Sequence, residues 1–360
     1  MTERHVVAEC VGALGVLTLN RAQALNALSL QMIRDLAQAL LQWRDDPAVK
    51  AVLLRGAGRE GKAPAFCAGG DIRFFHQAAL AGDPRLEDFF SEEYALNHLV
   101  HDYPKPTIAL MDGIVMGGGM GITQGATLRV LTEHSKLAMP ETNIGLFPDV
   151  GGGWFLPRCP GYSGEYLALT GHAIGAGDAI ALGLGDVMLP SAQLPALVEA
   201  LLDQPMESGE QALATVRARA VTAPTATLDR AAIDRHFAAP TLQGIVDSLA
   251  QDDSAFAQAT LAALRQRSPL MTAVTLEQVR RARTMTLADD LRMERDLVRH
   301  SFHLRPGKDS ETVEGIRALA IDKDHSPRWN PARIEDVTPA MVEAFFVSPW
   351  PAHAHPLRDL

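Results

Sequence analysis

The sequence predicts an α/β body followed by an all-helical C-terminal portion, and three observations carry that expectation. Up to about residue 175, short apolar runs of strand length alternate with amphipathic stretches. Beyond that point Ala, Leu, Gln and Arg dominate and strand-like runs vanish. Helical spacing then recurs over 192–202, 209–218, 242–249, 254–265, 276–284 and 287–300. The division falls near residue 220, giving a 1–220 core and a 221–360 helical region, with Pro224 and the stretch 238–240 as joints between helices.

Within the body, 6–9 and 15–19 read as two strands with Gly12 supplying the turn. Ser29 is placed to cap a helix that runs to Arg44, because Leu30, Ile33, Ala37, Leu40 and Leu41 form one apolar stripe. Pro47 closes that region, and 49–54 reads as a buried strand. The run 107–112 is a further apolar strand that enters a glycine-rich turn, and 128–131 and 136–139 are two more short strands.

Composition excludes several classes. Hydrophobic residues make up 47% of the 360-residue chain and charged residues 21%, the balance of a folded globular protein. A net charge of −10 disfavours broad contact with nucleic acid or anionic lipid. The three cysteines, Cys10, Cys67 and Cys159, are far apart and lack metal-ligand spacing, which argues for a reducing compartment and against a disulfide framework or zinc site. No basic start leads into an apolar leader, and no apolar run reaches the ~20 residues of a bilayer span. The expectations are a cytoplasmic location, no metal and no membrane partner.

Three glycine-rich places follow apolar runs: Phe66-Cys67-Ala68-Gly69-Gly70-Asp71, Met116-Gly117-Gly118-Gly119-Met120-Gly121 and Pro148-Asp149-Val150-Gly151-Gly152-Gly153. Glycine permits positive φ and close approach of backbone N–H groups to a ligand, or simply tight turns. Two such loops can each offer one N–H to the same oxygen, an oxyanion hole. A dinucleotide site is disfavoured, since 117–119 lacks the required glycine spacing. Glu141 and Asp149 are the sharper feature. Each follows a proline in an otherwise apolar, glycine-rich stretch, where lost solvation favours the neutral acid and raises its pKa. The plain alternative is that both cap helices or accept backbone hydrogen bonds.

The run Met139-Pro140-Glu141-Thr142-Asn143-Ile144-Gly145-Leu146-Phe147-Pro148-Asp149 through Arg158 resembles the signature of the 3-hydroxyisobutyryl-CoA hydrolases, a branch of the enoyl-CoA hydratase/isomerase (crotonase) superfamily. The first two glycine loops, Glu92-Glu93-Tyr94, the segment 167–171 and the C-terminal Ile321-Asp322-Lys323-Asp324-His325-Ser326-Pro327-Arg328-Trp329 are similar as well, so the resemblance spans nearly the whole chain. It implies a spiral of ββα units with a helical C-terminal region, and hydrolysis of a short 3-hydroxyacyl-CoA. Coenzyme A is then part of the substrate and no separate cofactor is needed. Superfamily members are often trimers or hexamers; this branch is less uniform, and a homo-oligomer stays open.

Position by position, the resemblance implies that the backbone N–H groups of Gly70 and Gly118 hold the thioester oxygen. Glu141 then attacks the thioester or activates water, and Asp149 orients the 3-hydroxyl and assists the departing thiolate. Glu93 lines the acyl pocket, and Ala68, Gly70, Asp71, Ile72 and Arg73 meet coenzyme A. Lys323 and Arg328 are placed either on its phosphates or at a solvated surface. A hydratase resembling this chain carries a glutamate three positions after the second oxyanion glycine; here stands Gly121, with no side chain to move a proton. That favours hydrolysis over hydration. An isomerase, which needs one base, and a non-catalytic structural relative remain as alternatives.

Overall fold

The computed structural model describes residues 4–59 and 61–360. Nine strands occur among them: β1 (Val6–Val11), β2 (Leu14–Leu19), β3 (Ala51–Gly56), β4 (Ala65–Cys67), β5 (Thr107–Met111), β6 (Ile114–Met116), β7 (Leu128–Leu131), β8 (Lys136–Ala138) and β9 (Val187–Met188). The chain divides into two compact units that interleave along the sequence: 1–70, 95–137 and 174–227 form the first, and 71–94, 138–173 and 228–360 the second.

The first unit holds a six-stranded sheet in the order β1-β2-β3-β5-β7-β9. Its opening hairpin is antiparallel, turning at Gly12 (φ 59), and every later pairing is parallel, from Leu14 opposite Ala51 to Val130 opposite Val187. Alternation does the packing. Leu14, Val16, Ala51, Leu53, Ile108, Leu110, Leu128 and Val130 share one buried cluster with Leu197, Leu201, Leu213 and Val216 from the helices Leu194–Asp203 and Gly209–Arg217. Near-continuous apolar strands such as β5, buried at all five positions, follow from a parallel sheet covered on both faces. The helix Leu30–Arg44 forms as expected, with the Ser29 hydroxyl accepting from the Met32 N–H. A three-stranded sheet, β4-β6-β8, carries the glycine loops.

The second unit is helical. Thr241, Ser254, Ser268, Thr286 and Ser310 each accept from a backbone N–H three residues on, capping helices that begin at Leu242, Ala255, Pro269, Leu287 and Glu311. The helix expected over 276–284 therefore starts seven residues earlier, behind the Ser268 cap with proline at its first position. The expectation that strands end near 175 is also corrected: β9 lies beyond it. Two residues are too short to show a period, and pairing with β7 creates the strand.

Candidate active site

In the first unit the strands β4 and β6 run parallel, so the loops that leave them emerge side by side. Gly69, at φ 100, has a conformation that disfavours any side chain, and a Cβ there would lie 3.3 Å from the Met116 carbonyl and 3.6 Å from the Gly118 nitrogen. A Cβ on Gly119 would stand 2.5 Å from the Cys67 carbonyl oxygen. The glycines thus let two backbones touch. Gly118 opens the helix Gly118–Gln124, so its N–H has no acceptor within that helix. Gly121 lies buried inside the same helix. Ala68 donates its own N–H to the Leu25 carbonyl.

In the second unit Glu141 opens the short helix Glu141–Ile144, and Asp149 follows in a turn closed by Gly151 (φ 87). The helix Arg85–His101 contributes Glu93 and Tyr94 from its first part. Glu93, Glu141 and Asp149 are 2%, 7% and 5% exposed. One oxygen of Glu93 and one of Glu141 are buried with no hydrogen-bond partner among the described residues. The Tyr94 hydroxyl donates to Asp149 Oδ2 at 2.8 Å.

The electrostatics follow from burial without countercharge. Desolvation first, and then the neighbouring Asp149 charge, pushes Glu141 well above the ordinary carboxylate range. Burial raises Asp149 to about 6, and the Tyr94 hydroxyl restrains it from going higher. Glu93 is pushed well up by burial and by the charges of Asp149 and Glu141. Three acids that face one another cannot all ionise near neutral pH, so the cluster holds both a proton donor and a proton acceptor. That inventory suits acid–base or nucleophilic chemistry on a carbonyl.

The remaining residues fall as follows. Asp71 caps the helix Ile72–Ala81, its carboxylate accepting from the Phe74 N–H at 3.3 Å, and Arg73 is exposed on that helix. Arg328 engages Glu314 through its backbone N–H at 2.8 Å. Lys323 is exposed at φ 58, in a turn gathered by Arg317, which reaches Asp322 and Asp324 at 2.7 Å each.

Sequence reasoning missed a second layer. Glu294, Asp290 and Gln278 are fully buried behind the Asp149 turn. In the third glycine loop, left open between ligand approach and a tight turn, two N–H groups are taken by a side chain: Gly151 and Gly153 donate to the two oxygens of Glu294 at 2.8 and 3.0 Å. A signal was present. Asp290 and Glu294 share the helical stripe of Leu287, Leu291 and Val298, where acids have no reason to sit unless buried with partners.

A family model described as enoyl-CoA hydratase/isomerase matches residues 14–346. The chain is 40% identical over 356 residues to the 3-hydroxyisobutyryl-CoA hydrolase, mitochondrial, of Rattus norvegicus, covering 96% of this chain and 89% of that protein. It is 38% identical over 356 residues to 3-hydroxyisobutyryl-CoA hydrolase 1 of Arabidopsis thaliana, with 96% and 92% covered. A crystal structure described as a carnitinyl-CoA dehydratase from Mycobacterium thermoresistibile matches with a TM-score of 0.89 at 36% identity, covering 99% of both chains.

Proposed function

From its place in the 3-hydroxyisobutyryl-CoA hydrolase branch of the enoyl-CoA hydratase/isomerase family, to which the chain belongs, we propose that it hydrolyses 3-hydroxyisobutyryl-CoA to 3-hydroxyisobutyrate and coenzyme A. The observation that carries the reading is the buried, uncompensated pair Glu141 and Asp149 in a chain about two-fifths identical to named hydrolases. This reaction belongs to the breakdown of valine.

The chemistry assigns the parts. Attack on a thioester places negative charge on the carbonyl oxygen, and fixed N–H donors stabilise it by several kcal/mol; Gly70 and Gly118 are the donors of this reading. In one route the Glu141 carboxylate adds to the carbonyl carbon, the C–S bond breaks, and water cleaves the resulting anhydride. In the other Glu141 takes a proton from water, whose oxygen adds to the same carbon before the thiolate leaves. Asp149 receives the substrate's 3-hydroxyl, takes the proton that Glu141 gives up in order to act, and passes it to the departing thiolate. Glu93 lines the acyl side, and Ala68, Asp71, Ile72 and Arg73 meet coenzyme A.

A second reading, addition or removal of water across a carbon–carbon double bond, is favoured by the dehydratase description of one similar structure. Gly121 weighs against it, because no side chain there can move the second proton.

Thiol release from 3-hydroxyisobutyryl-CoA, 3-hydroxypropionyl-CoA and acetyl-CoA, alongside absorbance loss from crotonyl-CoA, separates the readings. Release from the 3-hydroxyacyl substrates with crotonyl-CoA unchanged is the expected pattern. Crotonyl-CoA turnover without thiol release from a folded sample overturns it.

A further inference from the structure

We propose that Glu294 and Gln278 form a buried clamp that positions Asp149, making Glu294 a positioning residue for the reaction although it lies far outside the signature segment. The importance of Asp149 to catalysis rests on the hydrolase reading above; the clamp itself rests on separate geometry.

The Asp149 turn does not sit at a backbone minimum. Val150, the next residue, has φ 55, a left-handed conformation that a β-branched side chain strongly disfavours. Such a residue persists only where its surroundings over-determine it. Here they do so from both sides of the acid. Before it, the Pro148 carbonyl accepts from Gln278 Nε2 at 2.7 Å. After it, Gly151 and Gly153 donate to Glu294 Oε2 and Oε1. Gln278 closes the clamp by donating to Glu294 Oε1 at 3.1 Å. Glu294 and Gln278 are both 0% exposed, and Tyr94 holds the Asp149 carboxylate itself.

A buried carboxyl beside other acids is a costly way to hold a turn. The groups that bear on this one are Asp290 on its own helix, with Arg158 toward Asp290, Tyr94 on a second helix and Asp149 on the signature segment; burial and the charges of Asp290 and Asp149 push Glu294 well above the ordinary carboxylate range. What a carboxyl supplies is two acceptor oxygens for two backbone N–H groups. An amide supplies one acceptor and one donor, so Glu294→Gln sets N–H against N–H at Gly151 or Gly153 despite its matching shape. Gly153 makes the approach feasible, since a Cβ there would lie 2.1 Å from Asp290 Oδ1.

The test is a double-mutant cycle on 3-hydroxyisobutyryl-CoA hydrolysis by the full chain. Glu294→Gln is expected to lower kcat about 10- to 100-fold with KM within about threefold, and Asp149→Asn with Glu294→Gln to be no slower than Asp149→Asn alone, because the two act through one group. Unchanged kcat in Glu294→Gln, or losses that multiply in the double variant, overturns the clamp. Should Glu294→Gln fail to fold, Gln278→Met removes the other arm and carries the same non-multiplying expectation. Absence of thiol release by the wild type would instead sink the hydrolase reading. The clamp would then be judged by carboxyl 13C NMR of aspartate, with Asp149 assigned from Asp149→Asn. A moved Asp149 titration midpoint in Gln278→Met, which removes an arm without removing a titratable group, supports the clamp, and an unmoved one contradicts it.

Discussion

Tyr94 and Asp149, 55 residues apart in sequence, meet in a fully buried hydrogen bond of 2.8 Å in which the phenol donates and the carboxyl accepts. A neutral donor is thereby aimed into a cluster of acids, where it stabilises the ionised form of Asp149. Tyr94→Phe removes that donor while keeping the ring. The Asp149 midpoint should then rise above its value of about 6, and stability should fall by about 1–2 kcal/mol. Carboxyl 13C NMR and urea unfolding measure the two effects.

Burial of Asp149 makes a prediction about stability and pH. Its pKa is raised when the chain folds, so the native state holds the proton more tightly than the unfolded chain does. The favourable contribution is complete below about pH 4 and is lost as pH rises through about 6. Every tenfold gain in proton affinity on folding corresponds to roughly 1.4 kcal/mol. Asp149→Asn should therefore melt higher than wild type at pH 8, and the gap should close toward pH 4. Thermal unfolding at both pH values checks it.

Glycine at 119 is a steric requirement. A Cβ there would be 2.5 Å from the Cys67 carbonyl oxygen and 3.0 Å from Cys67 Cβ, and neither belongs to a flexible side-chain end. Gly119→Ala should cost about 1–3 kcal/mol by overpacking, read as a lower urea midpoint with unchanged slope.

Arg295 is 1% exposed, pairs with Glu87, donates to the Ser91 hydroxyl at 2.9 Å and lies 4.8 Å from the Trp350 ring centre. Burial pushes the Glu87 carboxyl up, but His303, Arg295 and Arg299 together pull it down to about 2. Arg295→Met should destabilise by about 3 kcal/mol. Because Glu87 is depressed, its contribution is present above the ordinary carboxylate range and lost as pH falls toward 2. The variant should thus differ most from wild type near neutrality and least in acid, which melting curves across pH would reveal.

Much of this was legible before any coordinates. Ser29 and the apolar stripe behind it announced the helix to Arg44, and 128–131 matched β7 at both ends. Glu141 and Asp149 stood out because charged residues in apolar, glycine-rich sequence need a reason. Three-residue strands such as β4 and β6 escaped, since pairing rather than periodicity makes them strands. The resemblance alone places Glu93 in the acyl pocket, since nothing in its local sequence sets it apart from a solvated glutamate; it is 2% exposed, sharing a helical face with Phe89 and Leu96. The burial of Glu294 was signalled by the apolar stripe it shares, but its partners are backbone N–H groups some 140 positions away, and no local pattern encodes that pairing.

The central claim is that Glu141 carries thioester cleavage, and kcat for 3-hydroxyisobutyryl-CoA in Glu141→Gln against wild type tests it most directly. Deleting a group that attacks the carbonyl or activates water should lower kcat by about a thousandfold or more while KM stays within a few-fold and the fold is retained. A folded Glu141→Gln that releases thiol within about tenfold of the wild-type rate would contradict the account.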